Sequence, residues 1–143
     1  MRPADAGKQP MDIALREKLC RKSVAAIQHA YCPYSRFSVG AAVLTVDDRI
    51  FCGANVENAS YGLTICAERV AAVAAVNAGH LRFQAVAVTS PGGHSPCGAC
   101  RQFLAEFDDQ TVILLIDSDR PDVVRETTLD DLLPDRFTSD DLP

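Results

Sequence analysis

Cys66-Ala67-Glu68-Arg69-Val70-Ala71-Ala72-Val73-Ala74-Ala75-Val76-Asn77-Ala78-Gly79 is the stretch that decides the fold. Its alanine and valine content predicts a helix over Cys66 to Ala78. Thr64 is the candidate N-cap, Glu68 lies in the first turn, and Gly79 can close the C-terminus. After Arg69 nearly every face of this helix is apolar, so it has to be covered on all sides. In a chain of 143 residues that points to a neighbouring subunit over one side.

Downstream, Ala85 to Thr89 reads as a short apolar strand and Ser90 to Ser95 as a loop. Ser95-Pro96 is a helix-start pair, Ser as N-cap and Pro in the first turn, opening a helix to about Phe107. Val112 to Ile116 is a buried strand, Asp117 to Pro121 a turn, Asp122 to Thr127 a last strand, and Leu129 to Leu133 one helical turn. Upstream, Phe37 to Val46 and Arg49 to Val56 flank the Asp47-Asp48 turn as an antiparallel hairpin. Asp12 to Ala30 has helical periodicity, with Ile13, Leu15, Leu19, Val24, Ile27 and Ala30 as its apolar stripe and Asp12 as N-cap. Pro33 ends that helix by forcing its predecessor out of helical geometry.

The order helix, hairpin, helix, strand, helix, strand, strand implies an α/β sheet layered with helices on its faces. Parallel neighbours need a crossover of a dozen or more residues, so the last two strands should be antiparallel. The length fits one domain, spanning residues 12–143 behind a polar lead-in, residues 1–11. That lead-in is expected to be disordered and has no apolar core of a secretory signal. No apolar run reaches membrane-spanning length, so no membrane partner is expected.

The net charge of −5 argues against a polymeric nucleic-acid partner, which usually demands a basic face. Six cysteines could form three disulfides. The missing leader and an adequate core argue instead for free thiols in a reducing cytoplasm. Cys20, Cys32 and Cys52 then read as small buried hydrophobes.

Cys66-Ala67-Glu68 and Pro96-Cys97-Gly98-Ala99-Cys100 carry the chemistry. Each lies at a helix start, where unpaired N–H groups and the dipole stabilise thiolates. Cys97 and Cys100 share one helical face, and Cys66 supplies a third ligand from the other helix. Three protein ligands leave the fourth tetrahedral position open for water, as in catalytic rather than structural zinc. Glu68 reads as a proton carrier beside that position, not as a ligand. The pattern of a ligand, any residue, Glu, then Pro-Cys-x-x-Cys matches zinc-dependent deaminases. Three thiolates on a dication leave one excess negative charge, which Arg69 can offset by hydrogen-bonding a ligand sulfur. His94 could bind metal in principle but reads as a loop histidine; His29 and His80 sit near helix ends and need no functional reading.

Longer matches extend this pattern. Tyr31-Cys32-Pro33-Tyr34-Ser35-Arg36-Phe37 with Val39-Gly40-Ala41-Ala42, Asn55-Val56-Glu57-Asn58-Ala59-Ser60-Tyr61, both cysteine motifs, and Leu132-Leu133-Pro134 with Phe137 resemble the small homotetrameric cytidine deaminases. The resemblance implies a three-layer α/β/α fold with a mixed five-stranded sheet and one zinc ion per chain. It implies a nucleoside substrate and a homotetramer with shared active sites. By the same resemblance Asn55 and Glu57 bind the ribose hydroxyls, Phe37 packs on the pyrimidine, and the backbone near Ala67 accepts from the amino group. Ala59, Tyr61 and Phe137 reach a neighbour's pocket. Gly62 and Thr64 depart from some relatives, which leaves the preference among nucleosides open. Cys66 as first ligand and the short turn at Asp117 to Pro121 place the chain with the free-nucleoside group. A blasticidin-type antibiotic deaminase, a structural zinc module and a nucleic-acid editing enzyme are the competing readings.

Overall fold

The computed structural model describes residues 11–143, so residues 1–10 of the expected lead-in lie outside the described residues. Five strands form one mixed sheet in the order β2-β1-β3-β4-β5. They are β1 (Gly40–Thr45), β2 (Ile50–Ala54), β3 (Phe83–Ser90), β4 (Val112–Asp117) and β5 (Arg120–Thr128). β1 runs antiparallel to both β2 and β3, β3 runs parallel to β4, and β4 runs antiparallel to β5. The expected antiparallel last pair is therefore present.

Alternation along the strands sorts the core into two layers, because successive side chains point to opposite faces. Ala42, Leu44, Ala85, Ala87, Leu114 and Ile116 pack with Leu19 of helix α1 (Ile13–Ala26). Ala41, Val43, Val86, Val88, Ile113 and Leu115 pack on the other face. There they meet Ala71 and Ala75 of α2 (Ala67–Asn77) and Leu104 of α3 (Gly98–Ala105). A final turn, α4 (Leu129–Leu132), buries Leu129 in the same layer.

Several local expectations shift. In α1 the buried positions are Leu19, Ser23 and Ala26, while Ile13 is exposed. Ser23 replaces an apolar residue at the closest helix–sheet approach: its hydroxyl lies 2.8 Å from Thr89 Oγ1 and 3.2 Å from the carbonyls of Gly40 and Ala87. Any Cβ at Gly40 would sit 2.4 Å from the Ser23 carbonyl oxygen, so only glycine lets the two backbones come this near. Asp12 holds the N-cap position of α1 without a side-chain cap bond.

The two site helices also start later than expected. Cys66, not Thr64, is the N-cap residue of α2, and Cys97, not Ser95, is that of α3. The hairpin's first strand begins at Gly40 rather than Phe37, for a reason that belongs to the site. Cys52 is exposed, against the buried reading, because it lies on β2 at the edge of the sheet. Cys20 and Cys32 are half-buried, and all six cysteines are free thiols.

Of α2, Ala71, Ala72 and Ala75 are fully buried while Val73 stays 50% exposed. One apolar face of that helix is thus uncovered in the single chain. His80 donates or accepts at 3.0 Å with Asp47 and packs on Phe51, tying the end of α2 to the β1–β2 turn. No helix among the described residues is long and apolar enough to cross a membrane.

Candidate active site

The carboxyl end of β3 feeds the loop that leads to α3, and α2 ends beside it at its N-terminus. Open α/β sheets bind ligands outside the carboxyl ends of their parallel strands, and the sulfur cluster lies there. Sγ atoms of Cys66, Cys97 and Cys100 lie within 4.8 Å of one another, and Cys66 to Cys97 is 3.8 Å. Zinc–sulfur bonds of about 2.3 Å at tetrahedral angles place sulfurs about 3.8 Å apart. The donor set therefore fits one zinc ion in both ligand type and spacing. Two sulfurs occupy N-cap positions and the third lies in the first turn of α3, where helix dipoles favour thiolates.

Arg69 lies against the cluster: its Nη2 donates to Cys66 Sγ at 3.4 Å. The Cys66 thiol is pushed well below its usual range, first by the adjacent Cys100 side chain, then by Arg69 and Cys97. Bonding to the same sulfur raises the Arg69 guanidinium above its ordinary value. Glu68 is 5% exposed and accepts from Cys100 Sγ at 3.1 Å. Desolvation by burial pushes its carboxyl above the usual range, against the pull of the Cys100 bond.

Arg101 lies in the stretch Pro96-Cys97-Gly98-Ala99-Cys100-Arg101-Gln102 that carries the family resemblance, but the sequence assigns it no role. Its guanidinium donates to Pro96 O at 2.7 Å, Ser95 Oγ at 3.0 Å and Leu132 O at 2.7 Å. It staples the metal-side loop to the C-terminal turn and takes up the Ser95 hydroxyl that would otherwise cap a helix.

A cavity of about 330 Å³ opens from the sulfurs, within the range of small-molecule sites. Cys66, Ala67, Glu68 and Cys97 line one part; Phe37, Asn55 and Glu57 line another; Ser90, His94 and Ser95 complete the wall. None of its lining residues is Lys or Arg. A smaller cavity of about 240 Å³ adjoins it through Ser35, Glu57 and Thr64, and is lined further by Tyr34 and Tyr61.

Asn55 is built in twice. Its Oδ1 accepts from Val39 N at 2.9 Å and its Nδ2 donates to Phe37 O at 2.8 Å. A side chain thus does for residues 37–39 what a neighbouring strand would, which is why β1 starts late. A carboxamide offers two donors and two acceptor lone pairs, so hydrogen-bonding capacity is left over for a ligand. Glu57 Oε1 accepts from the amides of Tyr34 and Ser35 at 3.0 and 3.1 Å. Bonds from the Ser35 side chain, then from these amides, hold its carboxyl below the ordinary value.

The remaining expected residues stand apart. Ala59 is exposed, and Tyr61 and Phe137 are 73% and 59% exposed. None of the three lines the larger cavity of its own chain. The Phe137 carbonyl accepts from Gln102 Nε2 at 3.0 Å.

Comparison with known proteins agrees with this geometry. Residues 14–116 match the family model described as cytidine and deoxycytidylate deaminase zinc-binding region. A cytidine deaminase from Sporosarcina psychrophila is 45% identical over 128 residues, covering 88% of this chain and 93% of its own length. One from Mycobacterium tuberculosis is 48% identical over 116 residues, covering 80% and 83%. The crystal structure of cytidine deaminase from Burkholderia pseudomallei, at 44% identity, superposes with a TM-score of 0.81 over 89% of this chain and all of that one. With its five-stranded mixed sheet, its sulfur triad and these relatives, the chain belongs to the zinc-dependent cytidine deaminase family.

Proposed function

We propose that the pocket hydrolyses free cytidine and deoxycytidine to uridine and deoxyuridine with release of ammonia. The observation that carries this reading is one cavity joining a zinc-competent sulfur triad and buried Glu68 to Asn55 and Glu57, with no Lys or Arg in its wall. A carboxylate and a carboxamide suit the hydroxyls of a ribose. The cavity wall offers no Lys or Arg to a 5′-phosphate, which favours the nucleoside over the nucleotide.

Cys66, Cys97 and Cys100 would hold a zinc ion, which when bound would supply a water acidified enough to act as nucleophile near neutral pH. Glu68 takes the proton lost by that water and passes it to pyrimidine N3, which makes C4 electrophilic. The water oxygen bonds to C4; Glu68 then carries that oxygen's remaining proton to the 4-amino group, and the C4–N bond breaks as the C4 carbonyl forms, releasing ammonia. The backbone near Ala67 accepts from the amino group and orients it. Arg69 spreads the excess charge of the thiolates. Phe37 packs against the heterocycle.

The assembly is proposed as a homotetramer in which Ala59, Tyr61 and Phe137 of one chain complete the pocket of another. Their exposure and the uncovered Val73 face of α2 support it. Residues 12–143 act as one catalytic domain, and the free thiols suit a reducing cytoplasm and a role in pyrimidine salvage. A structural zinc module needs a fourth protein ligand, and among the described residues the cluster holds three. The test is a spectrophotometric assay comparing cytidine, deoxycytidine and blasticidin S. Turnover of the first two is expected; turnover of the antibiotic alone would overturn the reading.

A further inference from the structure

His94 reads from sequence as an ordinary loop residue, yet it lines the cavity and its ring centroid lies 6.4 Å from that of Phe37 at an interplanar angle of 34°. The two rings come from opposite halves of the site. Phe37 belongs to the segment that Asn55 pins, and His94 to the loop that ends in Cys97. The proposed nucleoside, with its diol on Asn55 and Glu57 and its C4 at Glu68, must lay its heterocycle between those two ends.

Hydrogen bonds from backbone amides fix the loop that carries the imidazole. Gly92 N donates to Asp117 Oδ1 at 3.0 Å, Gly93 N to Ser90 O at 3.0 Å, and His94 N to Ser90 Oγ at 3.1 Å. Gly92 has φ +86°, and a Cβ there would sit 2.7 Å from His94 Nε2. Glycine at 92 thus serves both the left-handed backbone and the space the ring occupies.

From this geometry we propose that His94 is a substrate-contacting residue whose ring, together with Phe37, flanks the pyrimidine and contributes to nucleoside affinity. The inference rests on the nucleoside-deaminase reading and adds a residue to it. The contribution comes from the aromatic face; such ring contacts change affinity by about five- to tenfold.

The experiment uses the zinc-loaded full chain and two variants, His94→Ala and His94→Phe. Steady-state kinetics on cytidine are combined with calorimetric titration of uridine and zinc content per chain. For His94→Ala, KM for cytidine and Kd for uridine rise together about five- to tenfold, while kcat and zinc stay within about twofold of the wild type. His94→Phe restores both constants to within about twofold. Unchanged KM and Kd in a zinc-replete His94→Ala protein would overturn the proposal. So would a His94→Phe protein as impaired as the alanine variant, or a loss of zinc that accounts for the effect. Should His94→Ala fail to fold, the phenylalanine variant decides alone, since a large loss of uridine affinity in it contradicts ring packing. A wild type that binds uridine but turns over no cytidine fails the deaminase reading, whereas the uridine titrations still report on His94.

Discussion

Arg69 lies one helical turn beyond Cys66 and donates to its sulfur at 3.4 Å. The same short segment therefore carries one sulfur of the triad, the buried carboxylate and a cation bonded to that sulfur. Groups that hydrogen-bond metal ligands typically affect metal affinity or activity 10- to 100-fold. Arg69→Ala should lower kcat/KM for cytidine by about 10- to 100-fold, with the fold intact by circular dichroism. An Arg69→Ala enzyme of wild-type efficiency would show that the sulfur needs no partner.

Cys97→Ala should lose zinc, because two thiolates cannot retain it in competition with water and buffer. Cys52→Ala should keep a full complement, since Cys52 lies on the edge strand β2 and contributes nothing to the sulfur cluster. Metal analysis of both variants separates a specific site from general thiol binding. Equal zinc contents would count against the ligand assignment.

Asn55→Ala removes a structural brace and a proposed substrate contact at once. Val39 N and Phe37 O lose their partner, at a cost of about 1–3 kcal/mol of stability. KM for cytidine should rise by about tenfold in the same variant. Asn55→Asp keeps an acceptor for Val39 N but cannot donate to Phe37 O, so it should recover part of the stability. Urea unfolding alongside kinetics reads both effects, and an Asn55→Ala protein as stable as wild type would contradict the brace.

Glu57 gives a pH dependence of defined sign. Its folded pKa is depressed, so the ionised form is favoured by folding. Its contribution to stability is present above the unfolded pKa and is lost as pH falls through the lower folded value. The gap in melting temperature between wild type and Glu57→Gln should therefore be widest near neutrality and close only at pH below the ordinary glutamate range. A gap that widens with acid would reverse the sign and refute the Tyr34 and Ser35 amide bonds as its cause.

What could be read from sequence was local. Cys66, Glu68, Cys97 and Cys100 sit in two short motifs at helix starts, which match the zinc-deaminase pattern without any tertiary information. The order of elements and the antiparallel β4–β5 pair followed from hydrophobic runs and one short turn. Contacts that span the chain left no such trace. Asn55 replaces a strand for residues 37–39, sixteen and eighteen positions away by hydrogen bonds. Arg101 reaches Leu132, and Ser23 buries a hydroxyl where the helical pattern called for an apolar residue. Cys52 looked buried because a strand's place at the sheet edge is a property of topology, not of its own residues. Each case is a tertiary contact overriding a local preference.

The most direct measurement is zinc content and ammonia release from cytidine on one preparation of wild type and one of Glu68→Gln. The wild type should carry one zinc per chain and release ammonia. Glu68→Gln should carry the same zinc and the same fold while losing nearly all turnover, since glutamine cannot move a proton. A zinc-loaded glutamine variant with full activity, or an active wild type without zinc, would contradict the account.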